Sequence, residues 1–199
     1  TTLAEAMMFE GKVIDRRGTI EAKNTVSDNT EVEQIYQRSI YSTPLYTEFM
    51  ENKLNIIDTP GQDDFVGGVI SGFKVADAGV MIVNATQGVE VGTEIFARYA
   101  DQYKMPLIIG VNQLDSEKAS WETTIDSLKQ TFGNKVVPVQ FPVAVGPGFD
   151  GFVDVLKQKL YRFKDENGTR EDLEIPAEFA DQAEEYRLAL MEAAAQNDE

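Results

Sequence analysis

Residues 79–84 read GVMIVN and residues 106–111 read PLIIGV, two short and continuously apolar runs. Between them, residues 91–103 place apolar side chains at the spacing of one helix face. Strands that are apolar on both faces and alternate with helices indicate parallel strands that are covered by helices on both sides. The sequence therefore predicts a doubly wound α/β sheet, in which ligands bind at the carboxyl ends of the strands.

Neighbouring segments extend this pattern in both directions. We predict helices over Thr1–Glu10 and Trp121–Phe132, and a strand pair over Tyr41–Phe49 and Lys53–Asp58. Residues 11–43 are polar and show no clear period, which indicates a long loop with little core of its own. Loops of this length in a compact domain are usually functional or mobile.

The character of the sequence changes after residue 135, where short strand patterns and turn residues replace the apolar runs. We predict a small α+β subdomain over residues 136–199 and a core domain over residues 1–135. The predicted elements of the subdomain are, in order, a strand Val136–Phe141, a strand Leu160–Lys164, a hairpin turn Asp165–Gly168, a strand Glu171–Ile175 and a helix Ala177–Gln196.

Composition excludes several classes of site. The chain has no cysteine, so disulfides, thiolate zinc sites and cysteine nucleophiles are excluded, and it has no histidine to serve as a metal ligand or general base. Its formal net charge of −16 makes it a poor candidate for wrapping bare nucleic acid. The apolar runs are too short to span a membrane, and no signal peptide is visible.

Two polar segments follow predicted strands at the edge where a ligand is expected. The first is Asp58-Thr59-Pro60-Gly61, in which the carboxylate can order a magnesium-bound water and the glycine leaves its backbone N–H open to a terminal phosphate. The alternative is a plain turn, because a strand followed by Pro-Gly is common.

The second segment is Asn112-Gln113-Leu114-Asp115, which comes directly after the strand PLIIGV. A carboxylate at this position can accept two hydrogen bonds, from the ring N–H and the exocyclic amine of guanine, a pair of donors that adenine does not offer. The alternative is a polar cap on the strand without a ligand.

In combination, these segments resemble the translational GTPases. TTLAEAM at residues 1–7 resembles the residues directly after the Gly-Lys of their phosphate loop, NIIDTPGQDDF at 55–65 resembles their second switch, and NQLD resembles their NKxD motif. The segments at 137–143, 148–163 and 174–199 resemble the subdomain that elongation factor G inserts in its G domain. The chain is identified as a divergent, elongation factor G-like member of the translational GTPases. The resemblance implies a P-loop-NTPase-type sheet, incomplete at both ends, with a small inserted α+β subdomain.

The resemblance also assigns roles around magnesium and phosphate. It implies that the hydroxyls of Thr1 and Ser39 bind Mg²⁺, with Thr2 beside Thr1 in the nucleotide site. Asp58 would hold the Mg²⁺ through water, and Gly61 would sense the γ-phosphate of GTP. The Gly-rich part of the phosphate loop and its lysine are not in this sequence, so we expect the chain alone to bind GTP poorly.

For the base and the partners, the resemblance implies that Asn112, Gln113 and Asp115 bind guanine and that the cofactors are GTP or GDP with Mg²⁺. The implied function is guanine-nucleotide binding in a cytoplasmic ribosomal translocation factor, with the ribosome as partner of the full-length protein. No membrane partner is expected, and the chain is expected to be a monomer.

Departures from the family pattern concern hydrolysis at Gln62 and nucleotide affinity at Gln113, and we expect that affinity to be reduced. Gln62 stands where the family has the histidine that positions the attacking water, and Gln113 replaces a lysine whose stem packs over the base. Glutamine can also orient water, but it cannot become a cation. We therefore expect GTP hydrolysis to be weak or lost. The alternatives are a non-hydrolysing ribosome-binding variant, a ribosome-protection or release-type GTPase, and a doubly wound domain that binds no nucleotide.

Overall fold

The structure, a computed structural model, describes residues 1–165 and 168–196, apart from the side chain of Asn134. The chain divides into two compact units. The first contains Thr1–Val80 and Val91–Ile108, and the second contains Met81–Glu90 and the described residues from Ile109 onward. The mixed α/β architecture predicted from the sequence is confirmed, whereas the predicted boundary at residue 135 stays a prediction.

Helices and strands follow the predicted order closely. The helices are α1 Thr2–Glu10, α2 Glu31–Tyr36, α3 Val66–Phe73, α4 Val91–Gln102, α5 Trp121–Phe132 and α6 Ala177–Ala195. The strands are β1 Thr43–Phe49, β2 Asn52–Asp58, β3 Gly79–Asn84, β4 Leu107–Asn112, β5 Gln140–Pro142, β6 Gly151–Asp154, β7 Lys159–Phe163 and β8 Arg170–Leu173. None of the helices among the described residues has both the length and the apolar character needed to cross a bilayer.

In the first unit, α1 packs on the antiparallel ribbon of β1 and β2. The buried hydroxyl of Thr47 donates a hydrogen bond to the Met7 carbonyl at 2.9 Å, which ties the ribbon to the end of the helix. A Cβ placed on Gly11 would lie 1.9 Å from Thr47 Oγ1, so this approach requires glycine at the end of α1.

Helix α2 lies inside the segment that the sequence predicts to be a long loop with little core of its own. Its N-terminus is a capping box, in which the Thr30 hydroxyl accepts from the Glu33 N–H and the Glu33 carboxylate accepts from the Thr30 N–H. The prediction was wrong here because apolar periodicity cannot reveal a helix that is held by polar groups. The Thr-x-x-Glu signature of a capping box was the available signal.

Strands β3 and β4 are hydrogen-bonded neighbours. The Gly79 N–H donates to the Pro106 carbonyl just before β4 begins, and the Ala85 N–H donates to the Asn112 carbonyl where β4 ends, each at 2.9 Å. The two strands therefore run in the same direction, as their apolar runs predict. Membership of these strands in a larger doubly wound sheet stays a prediction.

In the second unit, α5 and α6 pack with the antiparallel sheet β5-β6-β7-β8. The stripe predicted on α5 is confirmed, since Trp121, Ile125 and Leu128 are all buried and Phe132 packs at the edge of the same cluster. Leu128 is only 1% exposed. Burial of a leucine of this kind stabilises a fold by roughly 1.5–3 kcal/mol.

The strands of this sheet differ in detail from the sequence prediction. The predicted strand Val136–Phe141 contributes only its end, because pairing of β5 with β6 begins at Gln140, beyond Pro138, which has no N–H to donate. Strand β6 was not predicted. The predicted turn Asp165–Gly168 includes Glu166 and Asn167, which lie outside the described residues.

Candidate functional site

Two hydroxyl groups from distant parts of the first unit meet at the start of α1. Thr1 is the residue before α1, and Ser39 lies in the segment between α2 and β1. Thr1 Oγ1 and Ser39 Oγ are 3.0 Å apart, although 38 residues separate them in sequence. The structure thus brings together the two residues that the sequence singles out as hydroxyl ligands of Mg²⁺.

Asp58, the last residue of β2, adds a carboxylate to this group. Its Oδ1 accepts a hydrogen bond from the backbone nitrogen of Thr1 at 3.0 Å, and only 12% of its side chain is exposed. The other oxygen, Oδ2, is buried and has no hydrogen-bond partner among the described residues. Burying a carboxylate oxygen without a hydrogen-bond partner costs free energy. Asp58 Oδ2 is therefore a candidate to bind a polar ligand.

This donor set fits a hydrated magnesium ion. Mg²⁺ prefers oxygen ligands, is usually held by one or two carboxylates and keeps several of its waters. Two hydroxyls and an unsatisfied carboxylate oxygen suit that preference. The described residues contain no cluster of three or more His, Cys, Asp or Glu side chains that would hold a metal instead.

Thr2 is exposed and makes no side-chain hydrogen bond within the described part of the chain.

The turn after β2 leaves space around Gly61. Pro60 is buried, whereas a Cβ placed on Gly61 would meet no atom within 4 Å. The Gln62 side chain is exposed, lies just before a 3-10 turn and makes no hydrogen bond within the described residues. The backbone at Gly61 and the amide of Gln62 are therefore accessible to a ligand.

Gly68, near the start of α3, positions this turn and was not singled out from the sequence. A Cβ on Gly68 would lie 2.5 Å from Ser42 Oγ and 3.3 Å from Pro60 Cδ. Because a side chain has no room there, glycine lets α3 approach both the turn and the segment that precedes β1.

A buried carboxylate fixes the segment that carries Ser39. Glu33 is 1% exposed, and its Oε1 accepts from the N–H groups of Ile40 and Tyr41, both at 3.0 Å. Its Oε2 accepts from the Thr30 hydroxyl at 2.7 Å and the Thr30 N–H at 3.2 Å. Burial raises the pKa of the Glu33 carboxyl, but these hydrogen bonds outweigh that effect and lower its pKa below the ordinary 4.5.

A second buried carboxylate, that of Glu5 on α1, holds an earlier part of the same segment. It is 1% exposed and accepts hydrogen bonds from the N–H groups of Gly18, at 2.9 Å, and Val26. Sequence reasoning missed this residue, because nothing in a helix pattern distinguishes a buried glutamate from a solvated one.

The segment predicted to bind guanine lies in the second unit. Asn112 ends β4, Gln113 has a left-handed backbone with φ of 61°, and both side chains are exposed. The Leu114 carbonyl accepts a hydrogen bond from the Gly146 N–H at 2.7 Å, which holds the turn in place. The Asp115 carboxylate is exposed and has no hydrogen-bond partner among the described residues, so both of its oxygens are available to a ligand.

Gly146 is a positioning residue that the sequence analysis did not identify. It adopts φ of +79°, a conformation that favours glycine, and a Cβ there would lie 3.7 Å from the Ser116 carbonyl oxygen. The Gly-Pro-Gly sequence at 146–148 was the available turn signal.

Comparison with known proteins identifies the family. Residues 1–196 match the sequence model of the elongation factor Tu GTP binding domain. The chain belongs to this family. The resemblance to elongation-factor GTPases is thereby confirmed, whereas the roles of individual site residues stay predictions.

Individual relatives carry elongation factor G names. Over 182 residues the chain is 36% identical to an elongation factor G-like protein of Thermotoga maritima, a match that covers 91% of this chain and 26% of that protein. Elongation factor G of Mycoplasma pneumoniae is 34% identical over 202 residues, which cover 100% of this chain and 29% of that protein.

A solved structure from Thermus thermophilus matches this G domain with a TM-score of 0.91 and 30% sequence identity. That match covers 100% of this chain and 30% of the solved chain. The chain therefore spans 26–30% of the length of these relatives.

Proposed function

We propose that this chain is the guanine-nucleotide-binding domain of a translation elongation factor that acts in ribosomal translocation. The observation that carries the proposal is the contact of the Thr1 and Ser39 hydroxyls beside Asp58, whose Oδ2 is buried and unpartnered among the described residues. Membership of the elongation factor family supports the same conclusion.

The proposed magnesium site uses these three side chains. The hydroxyls of Thr1 and Ser39 would bind the ion, and Asp58 Oδ2 would hold it through water. Bound Mg²⁺ would neutralise part of the charge of the GTP phosphates. The open backbone at Gly61 leaves its N–H free to donate to the γ-phosphate. Thr2, which follows Thr1 directly, would belong to the same nucleotide site.

The proposed base contacts come from the turn after β4. The Asp115 carboxylate accepts hydrogen bonds from the ring N–H and the exocyclic amine of guanine. Asn112 holds neighbouring loops together, and Gln113 stands at the position where the family has a lysine over the base. The exposure and the unused acceptors of Asp115 support this assignment.

In organisation, we propose that residues 1–135 form the core of the G domain and residues 136–199 the inserted subdomain.

Hydrolysis is proposed to be weak or lost, and Gln62 favours a second candidate function. Its exposed amide makes no hydrogen bond among the described residues and carries no charge. Such a group can orient water, but it cannot supply a cation to a ribosomal activating surface. The second candidate is a factor that binds the ribosome without GTP turnover, and a protection- or release-type factor shares the same G domain.

Binding of fluorescent GTP to the protein at its full natural length, titrated with Mg²⁺, tests the nucleotide site. We expect magnesium-dependent binding that competes with GDP but not with ATP. Asp58→Asn should raise the Mg²⁺ concentration that gives half-maximal GTP binding roughly 10–100-fold. Asp77→Asn, an exposed aspartate between α3 and β3, is the matched control and should behave like the parent. Equal competition by ATP and GDP would reject the proposed guanine site.

A further inference from the structure

The Glu33 carboxylate connects the two ends of the segment that contains Ser39. The Glu33 side chain accepts hydrogen bonds from Thr30, at the start of α2, and from the N–H groups of Ile40 and Tyr41, which directly follow Ser39. Its backbone carbonyl accepts from the Arg38 N–H at 3.3 Å. Glu33 therefore contacts the residues on both sides of Ser39.

Apolar packing does not replace this anchor. The larger apolar side chains of α2 are exposed, at 44% for Val32, 60% for Ile35 and 64% for Tyr36. A helix of six residues is also too short to persist through its own hydrogen bonds. Its position therefore depends on the polar contacts of Glu33, which is 1% exposed.

We propose that Glu33 is the positioning residue that holds the Ser39 hydroxyl against Thr1, and that it thereby sets the affinity of the nucleotide site for Mg²⁺. This inference rests on the proposed function, because it assigns Glu33 a role in the same magnesium site. Glu33 itself touches neither ion nor nucleotide and acts through the backbone of Ile40 and Tyr41.

The chemistry of the site favours a carboxylate over an amide. Four donors, from Thr30, Ile40 and Tyr41, converge on the two oxygens of Glu33. A glutamine at this position has one acceptor oxygen, so it can satisfy either Thr30 or the pair of N–H groups beside Ser39, and its amide meets donors at the other end. Glu33→Gln should therefore have an intermediate effect, and Glu33→Ala the largest.

The test compares Glu33→Ala and Glu33→Gln with the parent in the protein at its full natural length. Glu31→Ala, an exposed glutamate in the same helix, is the control. Two quantities are measured: the Mg²⁺ concentration that gives half-maximal binding of fluorescent GTP, and hydrogen exchange at the amides of Ile40 and Tyr41.

We expect Glu33→Ala to raise the half-saturating Mg²⁺ concentration roughly 10–100-fold, the usual effect of removing a group that orients a metal ligand. Exchange at both amides should accelerate, GTP affinity at saturating Mg²⁺ should change little, and Glu31→Ala should match the parent. If Glu33→Ala does not fold, Glu33→Gln decides: an intermediate rise in Mg²⁺ requirement supports the proposal, and no rise overturns it.

Failure of this inference is distinguishable from failure of the proposed function. If Ser39→Ala raises the Mg²⁺ requirement and Glu33→Ala does not, the positioning role is overturned and the nucleotide site stands. If the parent protein binds GTP without any dependence on Mg²⁺, the proposed magnesium site and the role of Glu33 are both overturned.

Discussion

Thr1 Oγ1 lies 3.0 Å from Ser39 Oγ, so the long segment after α1 returns to the N-terminal end of that helix. The return is fixed by buried acids, Glu5 on the helix and Glu33 within the segment, which accept backbone N–H groups along it. A polar loop of this kind has little apolar surface to bury. Its conformation therefore depends on a few hydrogen bonds, each of which can be tested by substitution.

Ser39→Ala removes one of the two hydroxyls of the proposed magnesium site. We expect its Mg²⁺ requirement for GTP binding to rise roughly tenfold or more, because hydrogen bonds and ligand contacts to charged groups contribute about 1.5–3 kcal/mol. Ser39→Thr keeps a hydroxyl and should stay close to the parent. Titration of fluorescent GTP binding with Mg²⁺ measures the effect.

Ser71→Ala removes an exposed hydroxyl on α3 and is the control for Ser39→Ala. An unchanged Mg²⁺ requirement in Ser39→Ala, with Ser71→Ala also unchanged, would remove Ser39 from the metal site.

Much of this fold can be read from hydrophobic patterns. The apolar runs at residues 79–84 and 106–111 and the stripe on α5 predict β3, β4 and α5, and the structure has all three at those positions. Only the helix stripe is buried as predicted, because Val80, Ile82 and Ile108 on the two strands are exposed. Helix α2 could not be found in this way, because its apolar residues face solvent and polar groups hold it in place. Patterns of hydrophobicity do not report a conformation that hydrogen bonds determine.

The candidate site shows the same division. Asp58 ends β2 and Asp115 lies in the turn after β4, so their positions at strand ends can be predicted from the sequence. The contact of Ser39 with Thr1 follows only from the family resemblance and not from residue patterns, because it depends on the path of the segment between α1 and β1. Gly68 acts through the space that a missing side chain leaves, which only coordinates reveal. Gly146 acts through its positive φ, for which the Gly-Pro-Gly sequence was the signal.

Asp115→Asn tests the assignment of the guanine contact. A carboxylate accepts two hydrogen bonds from guanine, whereas an amide accepts one and donates one. That pattern matches xanthine, which has a carbonyl in place of the exocyclic amine. We expect GTP affinity to fall roughly 100-fold and xanthosine triphosphate to become the better ligand. Competition of both nucleotides against a fluorescent analogue measures the change.

Glu117→Gln changes an exposed acid in the same turn and is the control for Asp115→Asn. If Asp115→Asn binds GTP as the parent does, Asp115 does not read the base.

Acid should weaken the Glu33 contacts in a defined pH range. Hydrogen bonds hold the pKa of the folded Glu33 carboxyl below its ordinary 4.5, so the folded state favours the charged form. Its contribution to stability is therefore complete above that ordinary pKa, which the unfolded chain has, and is lost as pH falls through the lower folded pKa.

Urea unfolding of the parent and of Glu33→Gln, carried out from about pH 6 down to about pH 3, measures the contribution of Glu33 to stability. We expect the difference in free energy of unfolding between the two proteins to shrink as pH falls, because the glutamine variant has no carboxyl to protonate at position 33. A difference that stays constant over the whole range would mean that the Glu33 carboxyl does not titrate with unfolding.

Gln62→His tests whether hydrolysis was lost at the position directly after the Gly61 turn. The parent side chain is exposed, uncharged and free of hydrogen bonds within the described residues, so a histidine has room there and can carry a proton. We expect the parent to release phosphate from GTP slowly on ribosomes and Gln62→His to release it at least roughly tenfold faster, since a positioned acid–base or water-orienting group contributes roughly 10²–10⁴-fold.

Gln87→His changes an exposed glutamine in the loop after β3, controls for the added histidine and should stay at the parent rate. Rapid ribosome-stimulated turnover by the parent would instead show that Gln62 orients water effectively, and the protein would then be a working translational GTPase rather than a binding variant.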